Sequence, residues 1–288
     1  MTNVLITGAT GNVGAEVIRS LGKLEHSLRM TAAVRDPKRE RPSAMGPAIG
    51  MVALDLTDRT TYAPALKGCE ILFLLRPPAI SDVKKYFAPF IAAARNERVK
   101  HIVFLSVQGV EKSRIIPHHR IEQLIVDSGI PYTFLRPAYF MQNFTTTLRR
   151  DLVERQRIFL PAGKARFTLI DVRDIGAVAA QVIVAPHAFV NRSLELTSEA
   201  PMGFQEMADE LSRALGTTIQ YRSPSLLRFI LDQRKDGTPL AMILVMIMLH
   251  YLPRFQQEPA VTDEVRAITG SAPITFAQFV EDHEAQLR

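Results

Sequence analysis

Short apolar runs recur along the first half of the chain, with amphipathic stretches of helical length between them. Residues 4–7, 30–34, 51–54, 71–75, 101–106 and 132–135 read as strands. Their apolar character is continuous rather than alternating, which marks burial on both faces, as in a parallel sheet. The stretches 13–22, 60–66, 83–98 and 118–128 carry helical spacing. This strand–helix order predicts an α/β fold built on a doubly wound parallel sheet, with the strand C-termini along one edge, where ligands bind.

Beyond Pro137 the pattern changes. Residues 139–157 read as a helix or loop crossing the open edge, and 167–170 as a short strand. Residues 171–185 predict an amphipathic helix that returns to the sheet, and 194–197 another strand. The stretch 204–215 is a clear amphipathic helix stopped by Gly216. A last helix is expected over 274–284, capped near Thr275. The expected division is 1–137 plus about 168–190 for the sheet domain, and 138–167 plus 191–288 for a smaller, discontinuous substrate or lid region. The longest apolar run, 240–249 (LAMILVMIML), is too short to cross a bilayer, which takes about 20 residues. It reads as a buried or pocket-covering helix. An interfacial membrane segment is the other reading, because three of its ten residues are methionine and Pro253-Arg254 follows.

Hydrophobic residues make up 47% and charged residues 22% of the 288, which excludes a disordered chain, a collagen and a coiled coil. The single cysteine, Cys69, permits no intrachain disulfide and no Cys/His zinc spacing, so a reducing, cytoplasmic compartment is expected. The first residues carry no basic stretch of a secretory leader and run straight into a glycine-rich turn. A net charge of +6 and a pI near 9.6 raise the question of an anionic partner, either nucleic acid or a phosphorylated small molecule.

The sharpest motif is Gly8-Ala9-Thr10-Gly11-Asn12-Val13-Gly14, directly after the first strand and at the start of a helix. Glycines there permit a tight turn and let a pyrophosphate approach the backbone, while the helix start supplies free N–H groups and positive partial charge. The strand–turn–helix context makes the expected sheet Rossmann-type. Coenzyme choice follows from the end of the second strand, where a carboxylate selects NAD and an arginine accommodates the 2′-phosphate of NADP. Arg35 stands there, 21 residues after Gly14. NADP(H) is therefore preferred, and Asp36 keeps NAD(H) open. Lys38 and Arg39 offer a second cation, although for Lys38, Arg39 and Arg41 a solvated basic loop is the expected state. That cluster lacks the interleaved aromatics or recognition helix of a nucleic-acid surface. Asp55 and Leu56 close the third strand, where a carboxylate can accept from the adenine amine and Leu56 can pack on the ring; for Asp55 a turn or cap is the competing role.

GATGNVG, the strand-ending VR, ALDLTD, HIVFLSVQGV and HHRIEQLIVDSGIPYTFLRPAYFMQNF together resemble the NmrA-like branch of the atypical short-chain dehydrogenases/reductases. The resemblance is strong over 1–145 and weak beyond 200. It implies an NAD(P)-binding protein, either a reductase of quinones or of conjugated or imine substrates, or a co-regulator that binds the dinucleotide without turning it over. It also implies that Leu75, Arg76 and Pro77 pass beneath the ribose and pyrophosphate, and that Ser106 and Val107 approach the nicotinamide ribose. Pro137, Ala138, Tyr139 and Phe140 would border the nicotinamide, and Asn143 would steady that loop. For Tyr139 and Phe140 a place in the hydrophobic core is the competing role.

The chain departs from the wider superfamily in lacking its Tyr-x-x-x-Lys pair. The corresponding helix carries His118-His119-Arg120-Ile121-Glu122. His118 and Glu122 are four apart and share a helix face. His118 is the candidate proton donor or carbonyl ligand, Glu122 the group that would orient it, and Arg120 a candidate ribose or phosphate contact. Either histidine reads equally as a surface or capping residue. The other histidines (His26, His101, His187, His250, His283) show no metal-ligand spacing, and His250 is expected to be exposed or to line a pocket. The expected activity is hydride transfer to a small apolar electrophile such as a quinone, enone or imine, with residues 240–249 and Phe255 as an adaptable apolar pocket. The alternative is a non-catalytic NAD(P)-binding redox sensor acting through a protein partner. A sugar-nucleotide epimerase is disfavoured by the missing Tyr/Lys pair. A homo-oligomer is left open.

Overall fold

The computed structural model describes residues 2–39, 46, 49–112 and 116–288. In chain order it runs β1 (Thr2–Ile6), α1 (Asn12–Leu21), β2 (Leu28–Val34), β3 (Gly50–Ala53), α2 (Tyr62–Leu66), β4 (Ile71–Leu75), α3 (Val83–Asn96), β5 (His101–Leu105), α4 (Pro117–Ser128) and β6 (Tyr132–Pro137). Then come β7 (Tyr139–Phe140), α5 (Arg149–Arg155), β8 (Arg157–Phe159), β9 (Arg166–Phe167), β10 (Leu169–Ile170), α6 (Val172–Val184) and β11 (Arg192–Leu196). The last stretch holds β12 (Met202–Gly203), α7 (Phe204–Leu215), β13 (Gln220–Arg222), α8 (Leu226–Lys235), α9 (Leu240–Tyr251), α10 (Glu264–Thr269), α11 (Phe276–Asp282) and α12 (Glu284–Leu287). The chain forms two compact units: Met1–Ala138 with Val172–Leu196 and Glu264–Ala272, and Tyr139–Asp171 with Thr197–Asp263 and Pro273–Arg288.

The first unit is built on a seven-stranded parallel sheet in the order β11-β6-β5-β4-β1-β2-β3. This is the Rossmann-type doubly wound arrangement that the sequence predicts. From β1 the chain steps outward to β2 and β3, then jumps back to β4 on the other side. That reversal opens a crevice beyond the C-terminal ends of β1 and β4, where such sheets bind ligands. The continuous apolar strands are explained by two covered faces. Leu5, Leu72, Leu74, Ile102, Phe104 and Phe134 pack against Phe87 and Phe90 of α3 and Ile121 and Ile125 of α4. Alternation turns Val4, Ile6, Phe73 and Val103 to the opposite face, where all four are fully buried. There α6 lies directly on α1: a Cβ at Gly176 would fall 2.7 Å from the backbone of Glu16.

The domain limits differ from the expectation of about 168–190 for the returning segment. Residues 192–196 belong to the sheet, because β11 pairs along its full length with β6. α10 packs on α6 in the same unit, and Arg192 reaches Glu264 at 3.3 Å.

The second unit has its own core around Phe144, Phe204, Phe229 and Phe279, each at most 1% exposed. α7 buries Phe204, Met207, Ala208, Leu211 and Leu215, the spacing of one helix face. The segment 139–157 is β7, a 3-10 turn and α5, and 167–170 splits into β9 and β10, which pair with different strands. Asp151, Asp232 and Asp236 bring carboxylate oxygens within 4.8 Å of one another. Arg155 and Arg157 donate to all three, at 2.5–3.0 Å, so this cluster ties α5 and β8 to α8. α9 is not the buried helix its sequence suggests. Ile243, Met246 and His250 are buried, while Leu240, Met242, Leu244, Val245, Met248 and Leu249 are exposed. No helix among the described residues is long and apolar enough to cross a membrane.

Candidate functional site

The glycine loop joins β1 to α1 at the reversal of the sheet. Gly8 has φ +63°, a conformation that disfavours any side chain, and a Cβ there would fall 2.6 Å from the Leu75 side chain at the end of β4. A Cβ at Gly14 would lie 2.3 Å from the Gly8 carbonyl oxygen. The first turn of α1 therefore rests on the loop, backbone against backbone. The Gly11 N–H donates to Gly8 O at 2.9 Å, and Ala15 N–H donates to Gly11 O at 3.0 Å. Gly11 caps the helix without a side chain, so the first-turn amides of Asn12, Val13 and Gly14 have no acceptor within the helix. Thr10, Gly11 and Asn12 are exposed. Amides without partners, the positive end of a helix dipole and a cradle that a Cβ would fill suit a diphosphate.

Arg35 is exposed immediately beyond β2. The neighbouring Asp36 carboxylate turns onto its own loop, accepting from Lys38 N–H at 3.0 Å and pairing with Arg39 at 3.5 Å. Lys38 and Arg39 are exposed; Arg41 lies outside the described residues. Asp55 serves its turn, accepting from the N–H and the hydroxyl of Thr57, both at 2.7 Å. Leu56 is not available to pack on a ring. It is 6% exposed and sits in the core with Leu54 and Tyr62, whose hydroxyl donates to Leu56 O at 2.7 Å.

Thr7 ties the two central strands: Thr7 N–H donates to Phe73 O and Leu75 N–H to Thr7 Oγ1, both at 3.0 Å. This fixes the loop of Leu75, Arg76 and Pro77 beside Gly8. At the same edge Ser106 ends β5, followed by half-buried Val107. Ser106 is 2% exposed, and among the described residues its Oγ has no hydrogen-bond partner. His118, in the first turn of α4, lies with its ring 6.1 Å from Phe104 and has a buried Nδ1 that likewise has no partner among them. Burial, reinforced by the positive charge of Arg76, pushes the His118 imidazole down to about 4. It is neutral at neutral pH, the state in which it binds a carbonyl rather than transferring a proton as an imidazolium. Two buried polar atoms without partners on one sheet edge are what a bound ribose or substrate oxygen would satisfy.

Glu122 does not orient His118. Helical spacing puts both on one face, but the Glu122 carboxylate is taken by Arg136 of β6 at 2.7 and 3.1 Å. The pair is buried, and Glu111 approaches the same guanidinium at 3.4 Å. Arg136 was not singled out in the sequence, where it reads as one arginine in a strand ending in proline. Arg120 is not brought to His118 either. It is exposed on a groove between α3 and α4, with His119, Gln123 and Asp127.

In the second unit Tyr139 is half-buried and packs against the core. Its hydroxyl lies 3.1 Å from His250 Nε2, and its ring packs near Phe167 and Phe204. His250 is 3% exposed rather than on the surface. Its Nδ1 donates to Met246 O at 2.7 Å, so Nε2 accepts the Tyr139 proton. Burial raises the Tyr139 hydroxyl pKa and lowers that of His250 to about 4. The Asn143 side chain is a second partner of Tyr139, and Phe140 is half-buried. Pro137 is buried in the first unit at the end of β6.

The chain is 30% identical over 287 residues to the NAD(P)H azoreductase of Xenophilus azovorans, covering 98% of both. It is 28% identical over 282 residues to Prestalk A differentiation protein A of Dictyostelium discoideum, covering 97% of this chain and 92% of that protein. The crystal structure of an NADPH-dependent quinone oxidoreductase from Escherichia coli, complexed with NADPH, matches with a TM-score of 0.85 at 23% identity, over 97% of this chain and 99% of the other. That last likeness is one of fold. Residues 1–247 match the NmrA-like family, and the chain belongs to it.

Proposed function

We propose that the chain is an NADP(H)-dependent oxidoreductase that reduces a small apolar electrophile such as a quinone, enone or imine. The observation that carries this is the open amide end of α1, held against Gly8 where the sheet order reverses. The names of two similar proteins, an NAD(P)H azoreductase and an NADPH-dependent quinone oxidoreductase, point the same way.

When bound, the reduced nicotinamide supplies the hydride; the residues of this chain bind, orient and exclude water. The amides of Asn12, Val13 and Gly14 hold the diphosphate, with Gly8, Thr10 and Gly11 allowing its close approach. Arg35 pairs with the 2′-phosphate, which makes NADP(H) the preferred coenzyme and NAD(H) the weaker one. Asp55 faces the adenine amine. The backbone of Leu75 and Pro77 supports the ribose and pyrophosphate, and Ser106 gives its hydroxyl to the nicotinamide ribose beside Val107 and Pro137. Quinone reduction asks little of a protein acid, which accommodates the missing Tyr-x-x-x-Lys pair. The test is NADPH consumption by purified protein with a panel of quinones, enones and imines. Turnover with at least one class is expected. Tight dinucleotide binding with no turnover across the panel contradicts this function.

A second reading, a dinucleotide sensor working through a protein partner, is favoured by the absent Tyr/Lys pair and by the likeness to a differentiation protein. A redox sensor must bind NADP+ and NADPH with different affinity, because only differential binding shifts a state. Equal affinities by calorimetry contradict it.

A further inference from the structure

We infer that Arg76 sets the tautomer of His118, and that the two together select electrophiles whose reduction places charge on oxygen, quinones and enones, over cationic ones. This rests on the reductase function proposed above and narrows its substrate.

Arg76 leaves β4 half-buried. One terminal guanidinium nitrogen, Nη1, donates to the carbonyls of Pro77, Pro78 and Ile80 at 3.2, 3.1 and 2.8 Å. Nε points at His118 Nε2 at 3.5 Å. Among the described residues Arg76 pairs with no carboxylate, and burial alone lowers its pKa. A guanidinium nitrogen only donates. The approach of Arg76 Nε assigns the lone pair to His118 Nε2, and a neutral imidazole then carries its one proton on Nδ1. That Nδ1 is buried and, among the described residues, has no partner. A buried donor left unmet is costly, and its usual explanation is a ligand atom that meets it.

The charged groups around His118 support the same picture. Arg76, on the loop after β4, is the one charged side chain whose field shifts it. Glu122, one turn along α4, and Glu111, after β5, are both drawn to Arg136 of β6. Phe104 and Ser106 of the β5 edge bring no charge. Among the described residues, the charge that acts on His118 is the positive one of Arg76.

Hydride addition to a quinone or enone forms a C–H bond, breaks a π bond and moves its electron pair onto the carbonyl oxygen. The dinucleotide is oxidised, and a solvent proton neutralises the oxygen. His118 keeps its proton and donates a hydrogen bond from Nδ1 to that oxygen. Arg76 acts through His118 as a positioning residue and through its charge. A triarylmethyl cation or a protonated imine enters against the same charge and gains no oxygen for Nδ1–H to meet.

The experiment compares wild type, Arg76→Gln, His118→Asn and His118→Ala. Each is assayed with a neutral quinone and with a triarylmethyl dye under saturating NADPH. Wild type is expected to favour the quinone. Arg76→Gln is expected to lose about 10- to 100-fold in kcat/KM for the quinone, mostly in kcat, when assayed at NADPH saturating for each variant. His118→Asn, whose amide nitrogen stands near the Nδ1 position, should retain more quinone activity than His118→Ala. Removing the charge also raises the His118 pKa, a shift read from the pH titration of the labelled imidazole nitrogens in Arg76→Gln. Nitrogen-15 spectra of histidine-labelled protein read the tautomer without any turnover. Nδ1–H is expected in wild type, with Nε2–H gaining population in Arg76→Gln.

An unchanged quinone-to-dye ratio in Arg76→Gln overturns the inference. So does a loss of NADPH affinity that accounts for the whole drop, since Arg76 would then be a coenzyme clamp. Nε2–H in the wild-type spectrum overturns it independently. Absence of all turnover with Nδ1–H observed defeats the reductase function and the substrate selection, and leaves the tautomer assignment standing.

Discussion

Arg35 and Asp36 are neighbours with opposite implications for the coenzyme. Asp36 holds its carboxylate on its own turn, and the proposed 2′-phosphate contact is the Arg35 guanidinium. Arg35→Asp is expected to weaken NADP(H) binding by about 10- to 100-fold, the worth of a charge-assisted hydrogen bond, and to leave NAD(H) binding within severalfold. Equal loss of both coenzymes in a fluorescence titration contradicts a 2′-phosphate contact. The sequence identifies this residue because strand ends in a doubly wound sheet fall at countable distances from the glycine loop. It does not identify the partner of Glu122. Helical spacing names His118, whereas Arg136 comes from the adjacent strand and is visible only once the sheet is assembled. Glu122→Gln leaves a buried guanidinium short of its counter-charge and should cost about 3 kcal/mol of stability by denaturant unfolding. It should not move the acid limb of any activity profile. A shifted limb would show that Glu122 acts on His118 after all.

At the scale of elements, α9 shows where periodicity runs out. A helix apolar all round reads as buried, and its sequence carries no sign of which stripe meets the core. The structure buries Ile243 and Met246 and leaves Leu244 and Met248 exposed. Ile243→Ala should therefore cost about 2–5 kcal/mol, and Leu244→Gln or Met248→Gln within about 0.5 kcal/mol each, in thermal or denaturant melts. Large losses at Leu244 or Met248 would mean that this face is covered. The contrast with α7 is informative. There the polar positions mark the solvent side, and Phe204, Met207, Leu211 and Leu215 are legible as the core face from sequence alone. The same logic explains why β11 was assigned to the wrong region. Its residues read as a strand, but its neighbour, β6, is more than 50 residues earlier, and no local pattern records that pairing.

At the scale of the whole molecule, two buried histidines and the half-buried His118 make stability depend on pH. His101, His118 and His250 are each pushed down by burial to about 4. Unfolded, each titrates near its ordinary 6.5, so between those values the unfolded chain binds more protons than the folded one. Their contribution is complete above about pH 6.5 and is lost as pH falls toward 4, on the order of 3 kcal/mol for each group over that range. Melting temperature should fall progressively across this window. A flat profile from pH 7 to 5 would show that the imidazoles are solvated. The parallel sheet is legible in the alternation of apolar runs with helices, and the turn from β1 into α1 in the glycine spacing, because both are local in sequence. Burial of lone histidines and Tyr139 depends on distant packing and is not.

The most direct measurement is a crystal structure of the protein with NADP+ bound. The expected result places the diphosphate within hydrogen-bonding distance of the first-turn amides of α1, Asn12 among them, and the 2′-phosphate against the guanidinium of Arg35. A nucleotide bound elsewhere, or one whose 2′-phosphate points to solvent away from Arg35, would contradict the coenzyme site on which the proposed activity depends.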